Sequence, residues 1–171
     1  MSIERLGFMA RTMLASYIVA LGLTDTLKNF EFDFTRRLQL QKIVYLLQEA
    51  GADLGYQFGW YIHGPYSSSL ANDAYPLSSA PAEIIDSFKS PVDQKAVKKF
   101  RSLIDSVPSD KRRADVLELL ASVHYVMTHS FPRARTRKEA INSILDLKRG
   151  KFSSSEIGKA YDLLESKSFL K

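Results

Sequence analysis

Three histidines are the side chains of this sequence best suited to acid–base or metal chemistry. His63 lies four residues before Ser67, which suggests a serine nucleophile with a histidine base, but no acid is placed to orient the ring. His124 and His129 are five residues apart, so a helix would hold them about 140° apart rather than on one face. The chain contains no cysteine. We therefore predict no catalytic residue, no metal site and no cofactor, and we interpret the protein as a non-enzyme.

Basic side chains offer a second kind of chemistry, the binding of phosphate groups. Residues 1–107 hold 11 basic and 11 acidic residues, whereas residues 108–171 hold 13 basic and 8 acidic, so the whole net charge of +5 lies in the last third. Three successive helices predicted there, the last two joined by a tight turn, are compatible with a winged-helix-like DNA-binding arrangement. Its phosphate contacts would come from Arg133, Arg135, Arg137, Lys138, Lys148, Arg149 and Lys151. The last helix carries three acidic and two basic residues, which argues against its lying in a major groove.

The stretch from Gly55 to Asp73 is rich in aromatic residues and has the pattern of a strand followed by a turn and a helix. Apolar residues occupy alternate positions from Tyr56 to Ile62, which predicts a strand with one buried face. Gly64-Pro65 is expected to end this strand. The serines of residues 67–69 are candidate N-caps for a short helix around Leu70 to Ala74, which Pro76 would end.

Helices are predicted to position these residues. The most apolar, Thr35–Ala50, should lie at the centre of the fold, with Gln41, Lys42, Gln48 and Glu49 on its solvated side. Other helices are predicted over Ile3–Leu21, after a Ser90 cap, over Arg112–His129, and after capping boxes that begin at Thr136 and Ser153. The segment Leu23–Phe34 fits a short strand or a loop with aromatic anchors, and Phe169-Leu170 fits a terminal strand or a packed tail.

The predicted fold class is mainly α (α+β): six or seven helices around a central buried helix, with a small sheet or hairpin. Residues 1–171 are interpreted as one domain, in which residues 1–107 are neutral and residues 108–171 are basic and helical. The apolar run Met13–Leu23 is too short to span a bilayer, and its helical periodicity favours a core helix over a signal peptide. We therefore predict a cytoplasmic protein that does not bind membranes.

Two motifs resemble a known family. Residues 40–46, Leu-Gln-Lys-Ile-Val-Tyr-Leu, and residues 60–67, Trp-Tyr-Ile-His-Gly-Pro-Tyr-Ser, with Leu70 and Asp73 following, stand in the same order and separation as in the SocA-like antitoxins. This group is also called the Panacea domain family, and its YwgA-like relatives, with Tyr-Ser after Gly-Pro, are more similar still. The resemblance implies a largely helical domain with a small sheet that neutralises a toxin by direct binding, and it implies no catalytic residue.

The leading functional prediction is therefore an antitoxin-like or adaptor domain that binds a protein partner, such as a toxin encoded nearby. The residues expected to contact that partner are Trp60, Tyr61, His63, Tyr66 and Ser67. The alternative is a DNA-binding regulator that uses the seven basic residues of the last third.

Overall fold

The computed structural model describes the backbone of residues 3–170 and the side chains of residues 8–170. Within these residues the fold is mainly helical with one small two-stranded antiparallel sheet, as predicted. The elements are, in chain order, α1 (Ile3–Leu21), a 3₁₀ helix (Thr24–Leu27), α2 (Phe34–Glu49), β1 (Gly59–Tyr61), β2 (Gly64–Tyr66), α3 (Ser68–Ser78), α4 (Ala82–Asp86), α5 (Gln94–Ile104), α6 (Arg113–Thr128), α7 (Arg137–Lys148) and α8 (Ser154–Ser166). The described residues thus hold eight α-helices, slightly more than the six or seven predicted.

Helix α2 lies at the centre of the fold, as predicted. Every residue from Leu40 to Leu47 is buried, and the helix packs against α6, α5, α3 and the hairpin. The buried residues include Gln41 and Lys42, which the sequence pattern placed on a solvated face. That element of the prediction is wrong because the hairpin covers this side of α2.

The stretch from Gly55 to Asp73 differs most from its prediction. The predicted strand shortens to β1, and Gly64-Pro65, expected to end it, begins a second strand instead. Alternate residues of an antiparallel strand donate no hydrogen bond to their partner strand, so a short edge strand can accept a proline. Ser67 caps α3 as predicted, since its hydroxyl accepts the N–H of Leu70. Pro76 does not end α3 but lies in its last turn, where it removes one backbone donor without stopping the helix.

Two loops also take a form that the sequence left open or predicted differently. The segment after α1 contains no strand and is a 3₁₀ helix followed by turns, with Phe30 buried as an aromatic anchor. The predicted cap Ser90 does not begin α5. Asp93 does so, because its carboxylate accepts the N–H groups of Lys95 and Ala96 at 2.7 and 3.2 Å.

The last three helices, α6, α7 and α8, pack against one another. Thr136 caps α7, and the predicted capping box of Ser153 and Glu156 begins α8. Phe169 and Leu170 form a buried tail rather than a strand. No strand occurs between residues 113 and 170, so these helices lack a wing of their own within the described chain. None of the helices in residues 3–170 is both long enough and apolar enough to cross a lipid bilayer.

Candidate functional site

The β1–β2 hairpin presents its turn to the solvent. Its strands pair with Gly59 opposite Tyr66 and Tyr61 opposite Gly64, so that Ile62 and His63 form the turn. Gly64 has a φ of +83°, a conformation that residues with a side chain rarely adopt. Tyr61 and Ile62, at the end of β1 and in the turn, are 62% and 74% exposed.

A buried ion pair supports this turn from below. The Oε1 atom of Glu118 on α6 lies 2.8 Å from Nζ of Lys148 on α7, with side-chain exposures of 0% and 3%. The same ammonium donates a hydrogen bond to the carbonyl oxygen of Ile62 at 3.0 Å. The second oxygen of Glu118 accepts a hydrogen bond from Lys151 at 2.9 Å and lies 3.3 Å from Nδ1 of His63. Helices α6 and α7 therefore hold the turn in place together.

The charges of this network follow from its contacts. Burial raises the pKa of the Glu118 carboxyl, but the hydrogen bonds from Lys148 and Lys151 outweigh burial and bring that pKa below its ordinary value. Burial lowers the pKa of Lys148, and the hydrogen bond to Glu118 opposes this change. Glu118 is thus an ionised acid under the hairpin, paired with two lysines.

Helix α2 holds the second strand. Lys42 donates from Nζ to the carbonyl oxygen of Pro65 at 2.6 Å. The side-chain amide of Gln41 donates to the carbonyl oxygen of Ser67 at 2.8 Å and accepts the N–H of Ser67 at 2.9 Å. Burial lowers the pKa of Lys42 to about 7, with Glu118 opposing the change. Gln41 and Lys42 are therefore buried with their polar atoms bound to the backbone of β2 and of Ser67.

A cavity of about 440 Å³ opens beside the hairpin, over α2 and α3. Its lining is mostly aromatic and aliphatic, and among the described residues it consists of Phe30, Phe34, Arg37, Leu38, Gln41, Lys42, Tyr61, Ile62, His63, Gly64, Tyr66, Ala71 and Tyr75. Phe34, Tyr61, Ile62, Tyr66 and Tyr75 are also exposed to solvent. We call these five residues the hairpin rim. Clustered exposed aromatic side chains around an apolar cavity are typical of a binding surface.

The basic side chains at this cavity come from α2 and from the turn of the hairpin. Arg37, Lys42 and His63 line it, and no described lining residue is acidic. Arg37 is fixed by hydrogen bonds from Nη1 to the carbonyl oxygens of Phe30 and Glu31, at 3.0 and 2.7 Å. The cavity therefore suits a ligand that inserts an apolar group and carries an acidic group near Arg37.

The structure brings together three of the five residues predicted to bind a partner. Tyr61, His63 and Tyr66 line the cavity. Trp60 does not, because its ring packs inward at 5.6 Å from the ring of Tyr125. Ser67 is buried and caps α3, so its predicted contact with a partner does not fit the structure.

Three residues of the hairpin rim were not predicted from the sequence, namely Phe34, Ile62 and Tyr75. Alternation placed Ile62 on the buried face, but the turn rotates it outward. Phe34 and Tyr75 come from α2 and α3, and in the sequence only the alternating phenylalanines 30, 32 and 34 pointed to this side of the molecule.

No protein-family model and no curated protein sequence matches this chain.

A second cluster lies at the far end of α2. The candidate ligand atoms of Glu49, His124 and His129 all lie within 4.8 Å of one another. The prediction that the two histidines are held apart is wrong, since the centroids of their rings lie 6.1 Å apart. His129 directly follows the last residue of α6. Both rings face the Glu49 carboxylate of α2, His129 Nε2 at 2.7 Å and His124 Nε2 at 3.8 Å.

The seven basic residues of the predicted DNA-binding surface have different environments. Lys148 is buried against Glu118 and does not fit a phosphate contact. Lys151 is bound to Asp115 and Glu118, and two nitrogens of Arg137 donate to the carboxylate of Asp162 at 2.7 and 2.9 Å. Three of the seven basic side chains are thus paired with carboxylates of the chain itself. The remaining four are exposed, namely Arg133, Arg135, Lys138 and Arg149.

Proposed function

We propose that this protein is a binding module that holds a protein partner at the hairpin rim, in the manner of an antitoxin or adaptor. The observation that carries the proposal is the apolar cavity of about 440 Å³ beside a turn whose Tyr61 and Ile62 are exposed. Cavities of this size with aromatic linings accept apolar groups, and aromatic anchors dominate the energy of protein interfaces.

The proposed partner segment inserts an apolar or aromatic side chain into the cavity and places a carboxylate near Arg37. This chemistry complements the lining, in which Arg37 is a guanidinium and no described residue is acidic. Carboxylate and guanidinium groups form strong charge-assisted hydrogen bonds. The resemblance to SocA-like antitoxins supports a toxin encoded nearby as this partner. The absence of cysteine from the sequence supports a complex formed in the cytoplasm.

The hairpin is held firmly by the helices beneath it, and this rigidity supports a role in binding. The turn is tied to α7 by Lys148, and β2 is tied to α2 by Lys42, so little ordering remains to be done when a partner docks. Preorganised surfaces lose less conformational entropy on binding, which leaves more of the contact energy as affinity.

Co-expression tests the proposal. The chain is expressed with the product of each neighbouring gene, and we expect it to rescue growth from a toxic product and to co-purify with it. The double variant Tyr61→Ala/Tyr66→Ala, which removes two rings packed 5.6 Å apart on the rim, should lose the rescue while remaining folded. Phe8→Ala is the matched control, because Phe8 is also 62% exposed but lies on α1 outside the cavity lining. Failure to find any toxic or co-purifying neighbour, or equal rescue by the rim and control variants, would count against the proposal.

The alternative of DNA binding is decided by a separate titration. A basic surface that neutralises several phosphates must bind duplex DNA more weakly as salt rises, since each contact releases counterions. Titration at two salt concentrations would support this alternative if binding showed such a slope and was lost in Arg133→Ala/Arg135→Ala. We expect no such binding, because carboxylates of the chain hold three of the seven basic side chains.

A further inference from the structure

We propose that Glu49, His124 and His129 form a binding site for a divalent transition-metal ion of the zinc type. Two ring nitrogens face one carboxylate: Nε2 of His129 lies 2.7 Å from Oε1 of Glu49, and Nε2 of His124 lies 3.8 Å from Oε2. Two imidazoles and one carboxylate are a ligand set of zinc sites that keep one position open. The site is independent of the hairpin rim.

The backbone places the three ligands on two packed helices. Glu49 is the last residue of α2, His124 lies near the end of α6, and His129 caps that end. The N–H of His129 donates to the carbonyl oxygen of Tyr125 at 2.8 Å, which fixes the residue after the helix. Because α2 and α6 pack together, the ligands come from a rigid framework.

The other ring nitrogen of His124 is already occupied. The Tyr45 hydroxyl lies 2.8 Å from Nδ1, and the Thr128 hydroxyl lies 3.2 Å from it. Such a contact fixes the histidine ring, and Nε2 faces the Glu49 carboxylate. The backbone of Phe169, which lines the adjoining cavity, also forms a hydrogen bond with this ring.

The two outer ligands have room to close around an ion. Tetrahedral zinc with bonds of about 2.0–2.1 Å requires ligand atoms about 3.3 Å apart. The present spacing of up to 4.8 Å therefore has to contract. Glu49 and His129 are 25% and 45% exposed in their side chains and can move, whereas His124 is held in the core.

A cavity of about 610 Å³ adjoins the cluster and supplies the fourth position. Glu49 and His124 line it together with Lys99, Arg133 and Arg135. A metal ion beside three basic side chains attracts a negative fourth ligand. We therefore assign this position to water or to a small anion such as phosphate.

Metal binding by the untagged protein tests the inference. After treatment with EDTA, equilibrium dialysis against ZnCl₂ should show one equivalent bound per chain, and CoCl₂ should give the visible absorption of a low-coordinate site. Glu49→Gln and His129→Ala should each weaken zinc binding by at least about tenfold. Glu83→Gln, a carboxylate exposed on α4, is the matched control and should bind as the wild type does.

Two results would overturn the inference. One is the absence of zinc binding by the wild-type chain at 100 μM metal in this assay. The other is equal binding by the wild type, Glu49→Gln and His129→Ala, because zinc held adventitiously at His63 would persist in both variants. Circular dichroism verifies that the variants are folded, which is expected since neither replaced side chain is buried.

Discussion

Lys148 Nζ lies 2.8 Å from the Glu118 carboxylate and 3.0 Å from the carbonyl oxygen of Ile62. One buried ammonium thus joins the ion pair between α6 and α7 to the exposed turn of the hairpin. Ile62 belongs to the hairpin rim. The hydrogen bond from Lys148 therefore ties the position of this surface to the packing of α6 and α7.

Loss of the Glu118 charge should destabilise the whole protein. Glu118→Gln leaves Lys148 buried without its counter-charge, and breaking a buried ion pair costs about 3–5 kcal/mol of unfolding free energy. Urea denaturation followed by circular dichroism measures this loss. Asp162→Asn breaks the exposed pair with Arg137 and serves as the control, with a much smaller effect expected. Equal losses in the two variants would contradict the role given to the buried pair.

Stability should rise with pH between about 7 and 9 because of Lys42. Its pKa falls from 10.5 when exposed to about 7 in the folded protein, so the unfolded chain binds more protons across this range. Folding stability then increases with pH, by up to about 1.4 kcal/mol per pH unit for one group. The charged groups facing Lys42 are Glu118 from α6 and Lys148 from α7.

Urea denaturation at pH 7, 8 and 9 measures this dependence. Lys42→Met removes the titrating group and should flatten the rise, although its stability at any one pH also reflects the lost hydrogen bond to Pro65. If the wild type and Lys42→Met gave the same slope against pH, the low pKa of Lys42 would be disproved.

Gly64→Ala should be more damaging than Gly55→Ala. Both glycines have positive φ, +83° and +75°, so alanine is strained at either position by about 1–2 kcal/mol. At Gly64 the added Cβ would also collide with the Ser122 hydroxyl, whereas no described atom lies within 4 Å of a Cβ at Gly55. Overpacking of this kind costs a further ~1–3 kcal/mol. Thermal or urea unfolding of both variants gives the comparison, and equal costs would show that the contact with Ser122 is easily relieved.

The helices could be predicted because their signals are local. The bounds of α1 match the predicted Ile3–Leu21, and the Ser153 capping box begins α8 where the sequence indicated. Capping and periodicity depend on residues within a few positions of each other. The fold class followed from these helices.

The sites could not be predicted in the same way because they depend on contacts between distant positions of the chain. The helical pattern placed Gln41 and Lys42 on a solvated face, yet the hairpin more than 20 positions later covers them. Glu118 and Lys148 form their pair from different helices. His124 and His129 meet at Glu49, which comes from another helix. Each of these features needs tertiary structure to become visible.

Affinity for the protein partner tests the central claim most directly. The partner found by co-expression is titrated calorimetrically into the wild type, Ile62→Asp and Ile84→Asp. Ile62 is 74% exposed on the hairpin rim, and Ile84 is 51% exposed on α4. The two variants therefore make the same substitution inside and outside the proposed site. We predict that Ile62→Asp weakens binding by roughly 30-fold or more, as expected for an interface hot spot, and that Ile84→Asp leaves the Kd within about twofold. Unchanged affinity of Ile62→Asp, or equal weakening by both variants, would contradict binding at the hairpin rim.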